Sequence, residues 1–434
     1  MAAPFLLRMR PGLTVVMHGA GINCHCNRTG GFGTNFMAWH SHWLDRGFRP
    51  FFMGAGLWAV LAMMHWLHML AGIGTQSSAL EPMAWHRHEM IFGYGGAAMA
   101  GFLLTAIPNW TGRLPVRGLP LLGLFLLWVA GRLADLGSGE WAGATAALVA
   151  AVVDSGFWAV LVAVILRELV TGKNNRNLPV AGLVAFVGVA SALDQAGYDF
   201  AWRQGLGGIV MLILLVGGRV TPSFTRNWLV KEGCDHLPAP FGPFDRVALG
   251  TALAALVAWI VLPEAEWTSL LLVAAGLAGL VRLGRWQGHR TFAEPLVTIL
   301  HVGYGWIAMG LLLVGLDGWQ GGLPISAVHA LTAGGVAVMS LAVMTRASLG
   351  HSGRPLHAGM GLTVIYLLVN AGALLRVTAE LWPLPYDEMI LVSGVIWAAG
   401  FLFYVVMFTP MWILARRKKG GGRGGNEVEP APSR

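Results

Sequence analysis

Long hydrophobic stretches recur along most of the chain and are separated by short polar segments. Twelve of them reach the length of about 20 largely apolar residues that a helix needs to cross a bilayer. They lie at 51–72, 86–107, 118–136, 140–169, 178–196, 202–220, 243–262, 266–284, 295–316, 323–345, 357–378 and 387–414. Turn and breaker residues, such as the Gly-Ser-Gly segment 137–139, lie between them. The pattern predicts an all-α fold, a polytopic integral membrane helical bundle of about twelve transmembrane helices.

The basic residues lie on every second side of these predicted spans. All but four of the 29 Lys and Arg residues fall in the N-terminal segment, in alternate loops and in the C-terminal tail. The four exceptions lie within spans or at their ends: Arg87, Arg132, Arg203 and Arg376. Under the positive-inside rule both termini are cytoplasmic, and the number of spans is even. The sequence therefore predicts a multi-pass protein of the cytoplasmic membrane with both termini in the cytoplasm.

By itself, the net charge of +8 suggests a protein that binds nucleic acid, but the composition and the placement of the charges argue against that class. Only 12% of the residues are charged and 56% are hydrophobic, which leaves too little polar surface for several soluble domains. Because the basic residues mark one side of a membrane, the positive charge is not a nucleic-acid footprint, and no nucleic-acid partner is expected. Three cysteines are too few for a disulfide framework, and the C-x-x-C-H signature of covalently attached haem is absent.

Two terminal segments are predicted to be separate from the membrane domain at 46–415. The N-terminal extension, 1–45, contains two histidines and two cysteines close together: His18, Cys24, His25 and Cys26. This cluster lacks the further spaced ligands of a typical metal clamp. The alternatives are a flexible extension or a start codon assigned upstream of a true start at Met37. The basic, Gly-rich tail, 416–434, is predicted to be disordered and cytoplasmic.

Of the histidines within predicted spans or close to their ends, five are candidates for a functional site by their depth: His86, His88, His301, His329 and His351. Ionisable groups inside a membrane are costly, so they face a bundle interior or a cavity and are candidates for a functional site. His86, His88 and His329 lie at similar depths near the periplasmic ends of their spans. His301 and His351 lie nearer the cytoplasm. Neutral imidazoles suit iron and copper.

The segment WHRHEM at 85–90 begins the second span. On a regular helix residues two apart point in different directions, so His86 and His88 serve two centres, or one binds and the other supports it. Glu89 shares a face with His86 and is expected to orient its ring by a hydrogen bond. The alternative is a polar helix start at the membrane interface.

Three further polar residues within spans or at their ends each have a functional and a purely structural interpretation. Asp154 lies within the fourth span, where it serves either as a proton-path carboxylate or as a partner of a neighbouring helix. Arg219 and Arg346 end their spans at the cytoplasmic face. They pair with haem propionates or an anionic substrate, or they act only as positive-inside anchors.

Several motifs in order resemble one family of bacterial membrane proteins. They are RPFF (49–52), WHRHEM (85–90), GFLLTAIPNWTG (101–112), GRVTPSFTRN (218–227), LHVGY (300–304), HALT (329–332) and MTRASLGHSGR (344–354). Together they resemble the NnrS family from about residue 46 to the last span. The resemblance implies a twelve-span protein with haem and copper, linked to nitric oxide metabolism, denitrification and resistance to nitrosative stress. It also implies that the five membrane histidines are the ligand candidates.

The leading hypothesis is a haem/copper protein that binds or turns over nitric oxide, with non-covalent, b-type haem. One metal centre is expected among His86, His88 and His329, and a second is formed or supported by His301 and His351. Whether the protein is an enzyme is left open, and the electron donor is unknown. The alternative is a proton- or metal-coupled transporter that uses the membrane histidines, and a weaker one is a haem-based nitric oxide sensor.

Overall fold

The computed structural model describes residues 7–8, 13–18, 21–26, 42–74, 78–139, 144–319, 325–383 and 385–414. The chain divides into two units, Met1–Ser41 and His42–Arg434. The predicted tail, 416–434, and the alternative start at Met37 lie outside the described residues.

The N-terminal unit contains a small antiparallel sheet. Its strands are β1 (Leu7–Arg8), β2 (Leu13–His18) and β3 (Gly21–Cys26), in the order β1-β2-β3. His18 pairs with Gly21, so β2 and β3 form a hairpin. The Cys-His-Cys sequence at 24–26 forms the end of β3.

The second unit is helical, and the described residues contain twelve helices long and apolar enough to cross a membrane. They are α1 (Phe48–Leu70), α2 (Pro82–Thr111), α3 (Leu119–Gly137), α4 (Ala144–Thr171), α5 (Asn175–Gln195), α6 (Ala201–Lys231), α7 (Pro243–Val261), α8 (Glu266–Gly284), α9 (Pro295–Trp319), α10 (Ser326–His351), α11 (Met360–Val377) and α12 (Tyr386–Ile413). The predicted polytopic helical bundle is therefore confirmed, and the chain is a multi-pass membrane protein.

Burial separates the central helices from the outer ones. The most apolar window of α2 is 83% buried inside the protein, and those of α6 and α10 are 67% buried. The corresponding figure for α3 and α4 is only 33%. Since the outer helices leave leucines and valines exposed, their free faces suit lipid. Functional groups on α2, α6 and α10 thus lie in the interior of the bundle.

Two of these central helices contain a π-helical segment. In α2 it runs over Glu89–Tyr94, and in α10 over Ala330–Val336. Each segment begins within three residues of a histidine predicted to bind metal, His86 or His329. A π segment adds a residue to a turn, and such segments occur frequently at functional sites.

The glycines around these histidines allow close helix packing. A Cβ atom at Gly303 of α9 would lie 2.9 Å from the backbone nitrogen of Met339 in α10. A Cβ atom at Gly334 of α10 would lie 2.5 Å from the ring of Trp306 in α9. These glycines let α9 and α10 approach closely.

Candidate functional site

We call the end of the membrane unit that holds the arginine-rich loops the basic end, and the other the opposite end. α2 starts at the opposite end, and α10 runs in the same direction. His86 and His329 lie within the first turns of these helices. Both side chains line one cavity of about 60 Å³, the His86–His329 cavity.

The His86–His329 cavity combines imidazole and thioether groups. Met63 of α1 and Met90 of α2 line it together with the two histidines. The Nδ1 atom of His86 is buried and has no hydrogen-bond partner among the residues that the structure describes. A buried polar atom of this kind calls for a ligand, an ion or a water. Imidazole and thioether together form a donor set that suits copper.

The ring of His86 is held in place by Trp66 of α1. The two rings stack with centroids 4.5 Å apart and an angle of 19° between their planes. A smaller space of about 30 Å³ adjoins the same histidines and is also lined by Arg376. The two spaces are far smaller than the roughly 300–1,000 Å³ of pockets for drug-sized ligands. As the described residues line them, these two spaces have room for an ion but not for a macrocycle.

His88 faces away from the His86–His329 cavity. Its Nδ1 atom lies 2.9 Å from Oδ2 of Asp194 in α5, and its Nε2 atom lies 3.2 Å from the side-chain nitrogen of Gln195. Because the Gln195 amide donates to Nε2, the ring proton belongs on Nδ1, which donates to Asp194. Both nitrogens therefore have partners, and the structure does not bring His88 together with His86 and His329.

Glu89 belongs to a buried ion-pair network and not to the ring of His86. Its Oε2 atom accepts a hydrogen bond of 2.6 Å from Nε1 of Trp58 and one of 2.7 Å from Arg132 of α3. Arg132 also pairs with Asp154. The expectation that Glu89 orients His86 assumed a regular helix. The π segment that begins at Glu89 changes the direction of its side chain.

Asp154 is held by neighbouring helices. Besides its ion pair with Arg132, its Oδ2 atom accepts a hydrogen bond of 2.5 Å from the hydroxyl of Ser191 in α5. The Nε2 atom of His88 lies 3.7 Å away. Of the two roles predicted for Asp154, these contacts match the pairing with a neighbouring helix.

At the basic end, α2, α6 and α10 enclose a second cavity of about 460 Å³, the basic-end cavity. Arg219 of α6 and Arg346 and His351 of α10 line it. The guanidinium carbon of Arg346 lies 3.8 Å from the centre of the Phe224 ring, so this arginine is stacked in place. No carboxylate occurs among the described residues that line the cavity, which makes it suited to an anion.

His351 is oriented by the segment before α1. Its Nδ1 atom lies 3.3 Å from a terminal nitrogen of Arg46. A guanidinium has only donors, so Nδ1 accepts and the proton of the neutral ring lies on Nε2. In this arrangement His351 offers an N–H group, and ligation of iron through Nε2 requires the contact with Arg46 to break.

His301 is not brought together with His351. It is 6% exposed, and its Nδ1 atom lies 3.2 Å from the carbonyl oxygen of Val297. Its Nε2 atom lies 3.2 Å from the hydroxyl of Thr225 in α6. His301 lines neither of the two cavities described above. Within the described residues no group of three or more His, Cys, Asp or Glu residues is arranged to hold a metal ion.

Sequence reasoning missed several residues of these sites. Met63 and Met90 were not distinguished from the other methionines, because thioether ligands have no characteristic spacing. Arg132 and Arg376 were noted only as basic residues within spans or at their ends. The rule that an intramembrane charge marks a buried partner or a functional site would have singled out both.

The sequence pattern of one protein family, described as NnrS protein, matches residues 42–416. The chain belongs to the NnrS family. No curated protein matches it. The NnrS match begins where the helical unit begins and extends beyond α12, so it contains both cavities. The N-terminal unit with its sheet lies outside the NnrS match.

Proposed function

We propose that this NnrS protein binds or turns over nitric oxide with the help of copper at one end of the membrane unit and haem at the other. His86 and His329 hold the copper, and the basic-end cavity holds the carboxylates of a non-covalent, b-type haem. The basic end faces the cytoplasm of a bacterial cell, as the positive-inside rule favours.

One observation carries the copper assignment. His86 and His329, from different helices, line a common cavity, and the buried Nδ1 atom of His86 has no hydrogen-bond partner within the described part of the chain. His86 and His329 are far apart in the sequence, so it is the fold that brings them together. Met63 and Met90 add soft thioether donors, which favour the binding of copper(I) over that of zinc or magnesium.

The residues of the basic-end cavity fit a haem through its carboxylates. Arg219 and Arg346 offer guanidinium groups, which bind carboxylates by paired, charge-assisted hydrogen bonds. The volume of about 460 Å³ lies in the range of pockets for ligands of this size. The N–H group of His351 adds a further donor. Bound haem would supply iron for nitric oxide binding, and copper an electron or a second binding position.

The two sites lie at opposite ends of α10. His329 and His351 are separated by almost the whole helix, about 30 Å at 1.5 Å per residue. The copper and the haem carboxylates are thus supported as separate sites and not as one shared pair of metals. Nitric oxide is small and uncharged, so it can move between them inside the protein.

The copper assignment is tested by metal analysis of purified protein. Substitutions His86→Ala and His329→Ala are each expected to remove the copper and to leave the haem content unchanged. His68→Ala is the matched control, since this exposed histidine lies at the same end of the bundle. Full copper content in both cavity variants would refute the assignment.

The nitric oxide assignment is tested on isolated membranes. A haem absorption band that shifts when nitric oxide is added is expected in the wild type. A colourless preparation without metal, which accumulates protons or a metal ion in vesicles, would instead support the transporter hypothesis. A reporter fused to the C-terminus tests the orientation of the protein in the membrane. Reporter activity in the periplasm would show that the basic end faces the periplasm.

A further inference from the structure

A third cavity of about 80 Å³ lies between the two ends of the bundle, among α2, α6 and α10. We call it the middle cavity. Its walls include Gly95 and Met99 of α2, Ile213 and Gly217 of α6, and Met339 of α10. It therefore lies at the depth of the hydrocarbon core of a bilayer, between the His86–His329 cavity and the basic-end cavity.

The walls of the middle cavity offer water no free hydrogen-bonding group. Among the described residues that line it, Ser340 has the one polar side chain. Its hydroxyl lies 2.6 Å from the carbonyl oxygen of Val336 and 2.5 Å from the hydroxyl of Tyr94. A buried water needs two to four polar partners, whereas an apolar cavity stays dry and accepts apolar guests such as xenon.

The middle cavity adjoins both neighbours. It shares Ile209 and Val336 with the His86–His329 cavity. At its other end it shares four residues with the basic-end cavity: Phe102, Val216, Val220 and Val343. These shared wall residues are all apolar, so none of them presents a charged or hydrogen-bonding side chain between neighbouring cavities.

We propose that the middle cavity binds small uncharged diatomic gases and conducts them between the two ends of the bundle. An ion or a water molecule is excluded, because it would lose its polar partners in this space. The assignment of nitric oxide as the natural guest rests on the proposed function. The ability to hold an apolar atom or diatomic gas follows from the walls alone.

Glycine at position 217 keeps the cavity open. A Cβ atom there would lie 3.4 Å from Cε of Met339 and 3.6 Å from Cγ2 of Ile213. A larger side chain at this position extends into the space between α6 and α10. Gly250 in α7 is a matched control, since a Cβ atom there meets no atom within 4 Å. Both glycines lie inside helices, so leucine has the same effect on helix propensity at each.

The first experiment measures xenon binding to purified wild-type protein by xenon NMR, without any assumption about cofactors. Saturable binding is expected, and Gly217→Leu is expected to abolish it while Gly250→Leu preserves it. Wild-type protein without saturable xenon binding would overturn the proposal, whether the space is filled by a lipid chain or collapsed. Xenon binding that survives in Gly217→Leu would overturn it equally.

The second experiment follows the rebinding of nitric oxide to the haem after flash photolysis. Gly217→Leu is expected to slow rebinding about tenfold relative to Gly250→Leu, which corresponds to about 1.4 kcal/mol of added barrier. Haem and copper contents are measured in the same samples and are expected to be unchanged. Equal rates in the two variants would refute conduction. Loss of haem or copper from the wild type would refute the proposed function but leave the xenon result valid.

Discussion

His88 and Asp194 are joined by a hydrogen bond of 2.9 Å between Nδ1 and Oδ2, and both side chains are 1% exposed or less. Asp194 also pairs with Arg87 at 3.2 Å. The bond ties the start of α2 to the end of α5. The two histidines of α2 therefore have different surroundings. His86 faces a cavity, whereas His88 holds α2 against α5.

Replacement of His88 therefore tests a structural role. We expect His88→Ala to lower the free energy of unfolding by about 1–3 kcal/mol, because the buried Asp194 carboxylate loses one of its two donors and keeps only Arg87. The copper content of the folded fraction is expected to remain that of the wild type. Thermal unfolding in detergent and metal analysis are the two measurements. Copper loss comparable to that in His86→Ala would instead assign His88 to the metal centre.

Arg132 is a buried cation shared by two buried carboxylates. Its side chain is 2% exposed and pairs with Glu89 and Asp154, which are at most 1% exposed. We expect Arg132→Met to destabilise the protein by about 3–5 kcal/mol, because two carboxylates lose their cation in a low-dielectric interior. Leu133→Met, at a neighbouring exposed position, is the control. Similar thermal midpoints for the two variants would contradict this account.

The haem assignment makes Arg346 and Arg219 positioning residues for carboxylates. We expect Arg346→Gln to lower haem retention more than Arg346→Lys, since lysine keeps the charge but loses the paired geometry of the guanidinium. Pyridine haemochrome analysis of purified protein gives the haem content. Arg354→Gln, which changes an exposed arginine at the same end, is the control and should retain haem. Retention in all variants would exclude the basic-end cavity.

His42, which lies before α1, makes stability depend on pH. Burial lowers the pKa of His42 from its ordinary value of 6.5, and the charge of Arg49 lowers it further. The unfolded chain then binds more protons than the folded one as the pH falls through 6.5, so stability is lost in that direction. We expect the thermal midpoint of His42→Gln to decline less than that of the wild type between about pH 7 and pH 5. Parallel declines would remove His42 as the cause.

The spans could be predicted from the sequence because bilayer thickness sets a length that hydrophobic stretches must reach. All twelve predicted stretches overlap a helix, but their ends differ. α2 starts at Pro82 and α6 continues to Lys231, beyond the predicted ends at 86 and 220. Hydropathy follows the membrane boundary, whereas a helix continues into polar residues as long as its backbone hydrogen bonds are satisfied.

The sequence predicted how far along its span each candidate side chain lies, but only partly the direction in which the side chain points. Depth along the spans predicted that His86 and His329 lie near each other, and both line one cavity that His88 does not line. That these histidines bind a metal stays a prediction. The structure places Glu89 against Trp58 and Arg132 and not against His86, because the periodicity of a regular helix does not apply across a π segment. The contact between His351 and Arg46 joins residues distant in sequence, and a single sequence contains no signal for such a pair.

A π segment changes the direction in which the preceding side chains point, although their neighbours in the sequence stay the same. Since an α-helix turns about 100° per residue, one extra residue in a turn rotates everything before it by about that angle. Deletion of one residue from Glu89–Tyr94 would restore a regular helix and turn His86 away from His329. The separation of His86 and His329 is therefore set by a local insertion, which can be added or removed one residue at a time.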